Sequence, residues 1–172
     1  DLATVLDRCD VISLHTPLTQ QGEHPTLHLL GAEQLQGLQQ GSWLINASRG
    51  AVVDNQALKQ LLRQRQDLRV ALDVWEGEPQ VDAELAQRCD IASAHIAGYS
   101  LDGKIRGTSQ IYQAFCQHFA LADSAAIEFP AQTLLAMDLA AHTPVEEALR
   151  VICRAVYDPR SDDAAFRLSL QG

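Results

Sequence analysis

Three side chains in this 172-residue sequence combine into a usable chemical set: Arg49, Glu78 and His95. A guanidinium offers a planar fork of N–H donors that grips a carboxylate through two parallel hydrogen bonds. An imidazole exchanges a proton near neutral pH. A carboxylate beside the imidazole stabilises its protonated form. Singly, each is ordinary: an Arg in a turn is commonly a surface charge, a Glu before Pro a loop residue, a His after a strand a packed or solvated one. Together they can hold an anion and move a proton. Glu76 lies two residues from Glu78 and is a rival for the carboxylate role.

The elements that must position these groups are legible as short β-rich runs alternating with helical patterns. Strands are expected at Asp10–Leu14, Ser42–Asn46, Arg69–Asp73 and Asp90–Ser93, and Pro17 marks the exit from the first. Asp54 is a plausible N-cap for a helix through Arg65, whose apolar stripe is Ala57, Leu58, Leu61 and Leu62. Shorter helices are expected at Ala32–Leu38 and Ala83–Arg88, and a longer one from Leu101 to Phe119, interrupted by Gly103 and Gly107. This alternation predicts an α/β fold with a parallel sheet. Ligands of such sheets bind outside the carboxyl ends of the strands, which is where Arg49, Glu78 and His95 fall. Beyond residue 120 the texture turns Ala-rich and acidic, with Pro130, Pro144 and Pro159 and a helix over Pro144–Val156. The expected organisation is a first region over 1–118 and an appended module over 119–172.

Composition narrows the partners. Thirteen Lys and Arg stand against 22 Asp and Glu, a net charge of −9, which argues against nucleic acid or an anionic membrane surface. Hydrophobic residues make up 47%, enough for a core, and no apolar run approaches the roughly 18 residues of a membrane span. Cys9, Cys89, Cys116 and Cys153 form no C-x-x-C pair and read as buried or half-buried free thiols in a reducing, cytoplasmic setting. His24 and His28 are four apart without a helix pattern or third ligand, so no metal site is expected. His118 and His142 are expected to be exposed, and Trp43 and Trp75 to serve packing. The chain starts at Asp1 in what reads as the last turns of a helix, so a missing front end is expected.

Three segments resemble the signatures of the NAD-dependent D-2-hydroxyacid dehydrogenases, in order and spacing: Asn46–Asp54 (NASRGAVVD), Ala71–Pro79 (ALDVWEGEP) and His95–Gly98 (HIAG). The resemblance covers about residues 1–118. It implies the second half of a Rossmann-type parallel-sheet domain, followed by part of a C-terminal α+β dimerisation module, and therefore a homodimer. It implies that Arg49 holds the substrate carboxylate, that His95 is the acid/base on the 2-hydroxyl and that Glu78, immediately before Pro79, pairs with His95. Thr16, Ala47, Asp73 and Gly98 match cofactor-contacting positions for NAD, and Tyr99 matches a substrate contact, expected to be at a phosphate. The segments His15–Thr26, His95–Lys104 and Val156–Asp163 resemble in particular a member that oxidises 4-phospho-D-erythronate to 2-oxo-3-hydroxy-4-phosphobutanoate in vitamin B6 biosynthesis. Another member acting on 3-phosphoglycerate, or a non-catalytic NAD-sensing protein of the same fold, are the alternatives. Two departures stand out. Ser93-Ala94 precedes His95 where the family commonly has Thr-Pro, which leaves the loop aiming the imidazole less constrained. The Gly-x-Gly-x-x-Gly turn is absent and expected upstream of Asp1.

Overall fold

Four short strands form one fully parallel sheet in the order β1-β2-β3-β4: β1 Val11–Leu14, β2 Trp43–Asn46, β3 Arg69–Leu72 and β4 Ile91–Ala92. In this computed structural model, residues 1–171 are described except 124–127, 130, 132, 133 and 135, so Pro130 lies outside the described residues. Register is direct, with Leu14 opposite Asn46 and Asn46 opposite Leu72. All four strands therefore point their carboxyl ends the same way, and the residues that follow them share one edge. Ile12, Leu14, Leu44, Val70, Leu72 and Ala92 are the buried apolar positions of the strands, and Asn46 is a buried polar one.

Helix α1, Leu2–Arg8, leads into β1, and helices cross between the successive strands: α2 Ala32–Gln36, α3 Asn55–Leu62 and α4 Ala83–Arg88. Each of α1, α3 and α4 starts at an aspartate whose carboxylate accepts a first-turn N–H: Asp1 from Thr4, Asp54 from Ala57 and Asp82 from Leu85. Such a cap contributes about 1 kcal/mol. The stripe expected on α3 faces inward, with Leu58 and Leu62 buried and Ala57 and Leu61 partly so. Lys59 of α3 is ion-paired with Asp82, tying the cap of α4 to α3.

The chain folds as two units, one comprising Asp1–His95 with Pro159–Gly172 and the other Ile96–Asp158. Space thus divides the chain after His95, whereas the sequence texture changes near residue 118. The return of the last segment is caused by helix α7, Pro159–Ser169, after α6 (Val145–Val156). Arg167 on α7 donates to Ala86 O (2.5 Å) and Cys89 O (2.9 Å), and Asp163 accepts the Ala92 N–H (2.7 Å). Phe166 and Leu170 join the core of the first unit.

In the second unit, α5 runs unbroken over Leu101–His118. Gly103 and Gly107 do not interrupt it: a glycine costs about 1 kcal/mol in a helix, and Ser100 caps the helix by accepting the Gly103 N–H. Among the described residues, no strand follows Ala92 and no helix is long and apolar enough to cross a membrane. Cys9 is half-buried and Cys89 and Cys116 are buried, but Cys153 is exposed, contrary to expectation. Trp43 is likewise 37% exposed, so it packs less than expected.

Candidate active site

The exits of β2, β3 and β4 deliver the three groups. At the end of β2, Asn46 is buried and organises the turn that follows: its Oδ1 accepts from Ser48 N (3.1 Å) and Ser48 Oγ (2.9 Å), and its Nδ2 donates to Arg49 O (3.0 Å). Arg49 is exposed, with Nη1 donating to Ser48 O at 2.6 Å. Gly50 then passes against the backbone of Trp75 so closely that a Cβ there would stand 2.0 Å from Trp75 C. Only a glycine allows that approach, and it draws the Arg49 turn onto the segment that bears Glu78.

Past β3, Trp75 N–H donates to Glu78 Oε1 at 2.6 Å, and Glu78 Oε2 lies 2.8 Å from His95 Nδ1. A carboxylate accepts only, so the proton of the ring sits on Nδ1 and Nε2 is the nitrogen presented to a substrate. The Glu78 and His95 side chains are 31% and 47% exposed, open enough to meet a ligand. His95 is held at φ 58, with its N–H on Asp73 O at 2.7 Å. The structure also separates the rival carboxylates. Glu76 turns away from His95: its Oε1 lies 2.7 Å from His28 Nε2, its Oε2 accepts the Asn55 N–H (3.2 Å), and its own N–H donates to Asn55 Oδ1 (3.0 Å).

His28 thereby meets Asp54 and Glu76, with no part for His24, a cluster that chain spacing did not reveal. Its two ring nitrogens face different carboxylates, Nε2 towards Glu76 and Nδ1 3.9 Å from Asp54 Oδ2. The ring thus hydrogen-bonds Glu76 and lies beside Asp54, the residue that caps α3. His118 and His142 are exposed.

The residues matched to cofactor contacts divide between the units. Thr16, Ala47 and Asp73 follow β1, β2 and β3 in the first unit. The Thr16 hydroxyl oxygen is buried without a hydrogen-bond partner, a state that costs about 1–3 kcal/mol and that a polar ligand atom relieves. Asp73 is buried, accepting from Ser93 Oγ at 2.6 Å. Gly98 and Tyr99 belong to the second unit. Gly98 has open space where a Cβ would be, so packing gives no reason for glycine there. Tyr99 is 71% exposed, and Lys104 Nζ lies 3.3 Å from its ring centroid. A hydrogen bond and the positive charge of Lys104 hold the Tyr99 phenol below its ordinary pKa. Within the first unit, the orphaned Thr16 hydroxyl, Ala47 and the buried Asp73 carboxylate follow adjacent strand ends and fit a dinucleotide laid across them.

A fully parallel sheet with a carboxylate-paired histidine and an exposed arginine at its carboxyl edge defines an α/β domain whose ligand site lies at the strand ends. Residues 1–97 match the model of the D-isomer specific 2-hydroxyacid dehydrogenase, NAD binding domain, and the chain belongs to that family. It is 59% identical over 173 residues to a Pseudomonas aeruginosa protein named erythronate-4-phosphate dehydrogenase, covering 99% of this chain and 46% of the relative. A protein of the same name from Azotobacter vinelandii is 56% identical over 174 residues, 100% of this chain and 46% of the relative. The chain thus spans about half the length of the curated relatives it matches. Among solved structures, D-lactate dehydrogenase from Aquifex aeolicus, complexed with NAD and lactic acid, is 29% identical with a TM-score of 0.55, over 69% of this chain and 40% of that one. D-mandelate dehydrogenase from Rhodotorula graminis is 30% identical with a TM-score of 0.54, over 60% and 29%.

Proposed function

We propose that the protein bearing this chain oxidises 4-phospho-D-erythronate at its 2-hydroxyl with NAD, giving 2-oxo-3-hydroxy-4-phosphobutanoate for pyridoxal 5'-phosphate synthesis. The observation that carries the reaction type is the 2.8 Å contact between His95 Nδ1 and Glu78 Oε2 at the sheet's carboxyl edge. The names of the relatives and the exposed Tyr99–Lys104 pair support the phosphorylated substrate.

In this reading Arg49 takes the substrate carboxylate in its guanidinium fork. His95 Nε2 accepts the 2-hydroxyl proton as C2 gives up its hydride, and Glu78 stabilises the imidazolium that results. Bound NAD supplies the hydride acceptor. Thr16, Ala47, Asp73 and Gly98 hold it, the Thr16 hydroxyl gaining the partner it otherwise lacks. The Tyr99 hydroxyl meets the phosphate. The region over 119–172 contributes to a homodimer, supported by the exposed apolar row Val145, Leu149, Ile152 and Val156 on α6. A cytoplasmic location is supported by four free cysteines.

The test is NADH formation by the full-length protein from 4-phospho-D-erythronate, D-erythronate and 3-phosphoglycerate. A kcat/KM for the first at least tenfold above the others is expected. Equal or higher kcat/KM with 3-phosphoglycerate assigns the protein to a different member of the family.

A further inference from the structure

The turn that presents His95 needs external support. A non-glycine residue in the left-handed region costs about 1–3 kcal/mol and persists only where its surroundings over-determine it. His95 stands at φ 58, and the residue before it, Ala94, is exposed, with its N–H in no hydrogen bond among the described residues. The fixing contacts fall on the residues to either side. His95 N–H donates to Asp73 O (2.7 Å), Ser93 N–H to Leu72 O (3.0 Å) and Ser93 Oγ to Asp73 Oδ1 (2.6 Å). A further one comes from a side chain outside the turn: the Trp75 indole Nε1–H donates to Ser93 O at 2.9 Å.

Trp75 is suited to this. It is 4% exposed, and its ring lies against Phe166 with centroids 5.5 Å apart, so the indole cannot swing. The same residue reaches the other half of the proton-transfer pair, because its main-chain N–H donates to Glu78 Oε1 at 2.6 Å. A closed circuit results: Trp75 to Glu78, Glu78 to His95, His95 back through Ser93 to Trp75. Both arms that meet at the Nδ1–Oε2 contact are anchored on one immobile residue.

We propose that the Trp75 indole N–H is a positioning group for His95, fixing the Ser93–His95 turn so that Nδ1 stays on Glu78 and Nε2 keeps its aim. This rests on the reading of His95 and Glu78 as the proton-transfer pair. Trp75→Phe is the informative change, since it keeps a ring against Phe166 and the main-chain bond to Glu78 while removing the indole donor; the ring volume it also deletes is expected to lower the urea midpoint moderately without touching NAD affinity. A 1 Å misplacement of a reacting group costs about 100-fold, so a loosened turn is expected to lower kcat by about 10- to 100-fold with KM and NAD affinity nearly unchanged.

The experiment has two readouts on the full-length protein. One is the imidazole Nδ1–H proton of His95 by NMR, assigned by its loss in His95→Gln; the other is steady-state kinetics. The inference expects a hydrogen-bonded Nδ1–H signal in the unsubstituted protein that is lost to exchange in Trp75→Phe, together with the selective fall in kcat. A signal retained in Trp75→Phe with kcat within twofold overturns it. So does a parallel fall of kcat, NAD affinity and urea midpoint, which marks the indole as a general packing element. Loss of the signal in a protein that oxidises none of the hydroxy acids leaves the positioning role standing and refutes the proposed activity instead.

Discussion

Gly50→Ala tests the packing on which the site is built. A Cβ at residue 50 stands 2.0 Å from Trp75 C, 2.1 Å from Trp75 O and 2.5 Å from Glu76 N. Comfortable separations are about 3.5–4.0 Å, so the two segments must part by more than about 1 Å. All three obstructing atoms are main chain, and no side chain can rotate to make room. Overpacking of this kind costs typically about 1–3 kcal/mol, and the need to move backbone places Gly50→Ala near the top of that range. At about 2–4 °C per kcal/mol for a chain of this size, Tm falls by about 6–12 °C. The same movement shifts Arg49 on one side and the Trp75–Glu78 bond on the other. Thermal unfolding by circular dichroism reads the loss, with Gly98→Ala as a control, since nothing lies within 4 Å of its Cβ. A Gly50→Ala Tm within about 1 °C of the unsubstituted chain would refute the close approach.

The other predictions concern charges. Arg167→Ala removes a guanidinium that serves Asp163 and the carbonyls of Ala86 and Cys89, and should cost about 2–3 kcal/mol in urea unfolding. Burial raises the pKa of Asp163, but the Arg167 hydrogen bond and the Ala92 N–H outweigh it and hold the carboxyl below its ordinary 3.8. A depressed folded value means that this stabilisation is complete above the unfolded pKa and is lost as pH falls through the folded one. The urea midpoint of Asp163→Asn should therefore fall less than that of the unsubstituted chain on acidification below about pH 4. Lys104→Met should return the Tyr99 phenol upward towards its ordinary 10.0, read by phenolate absorbance against a Tyr99→Phe blank. Glu78→Gln should lower kcat by about 100-fold or more with NAD affinity intact, the scale of a lost acid–base partner.

The strands were legible because four short β-rich runs are each closed by a turn or a helix start, and the observed elements fall within a residue or two of the expected ends. The Glu78–His95 pairing was legible through the family motif, which places the acid immediately before Pro79. Composition and spacing alone left Glu76 and Glu78 open. What separates them is long-range: Glu76 is taken up by His28 and Asn55, residues 48 and 21 positions away. Helix α7 was missed because its apolar residues are sparse, and its docking depends on Arg167 and Asp163 meeting backbone groups some 70 to 80 residues back. The loop before His95 looked underconstrained because Ala94 supplies no rigidity. The constraint comes instead from Trp75, whose indole contact spans 18 residues of sequence and has no local signature.

Turnover of 4-phospho-D-erythronate by the full-length protein, with Arg49→Ala and His95→Ala beside it, tests the account most directly. NADH formation that collapses in both variants, through KM for Arg49→Ala and through kcat for His95→Ala, is the predicted result. A folded, NAD-binding protein that forms no NADH from this substrate, or a His95→Ala variant that keeps full kcat, would contradict it.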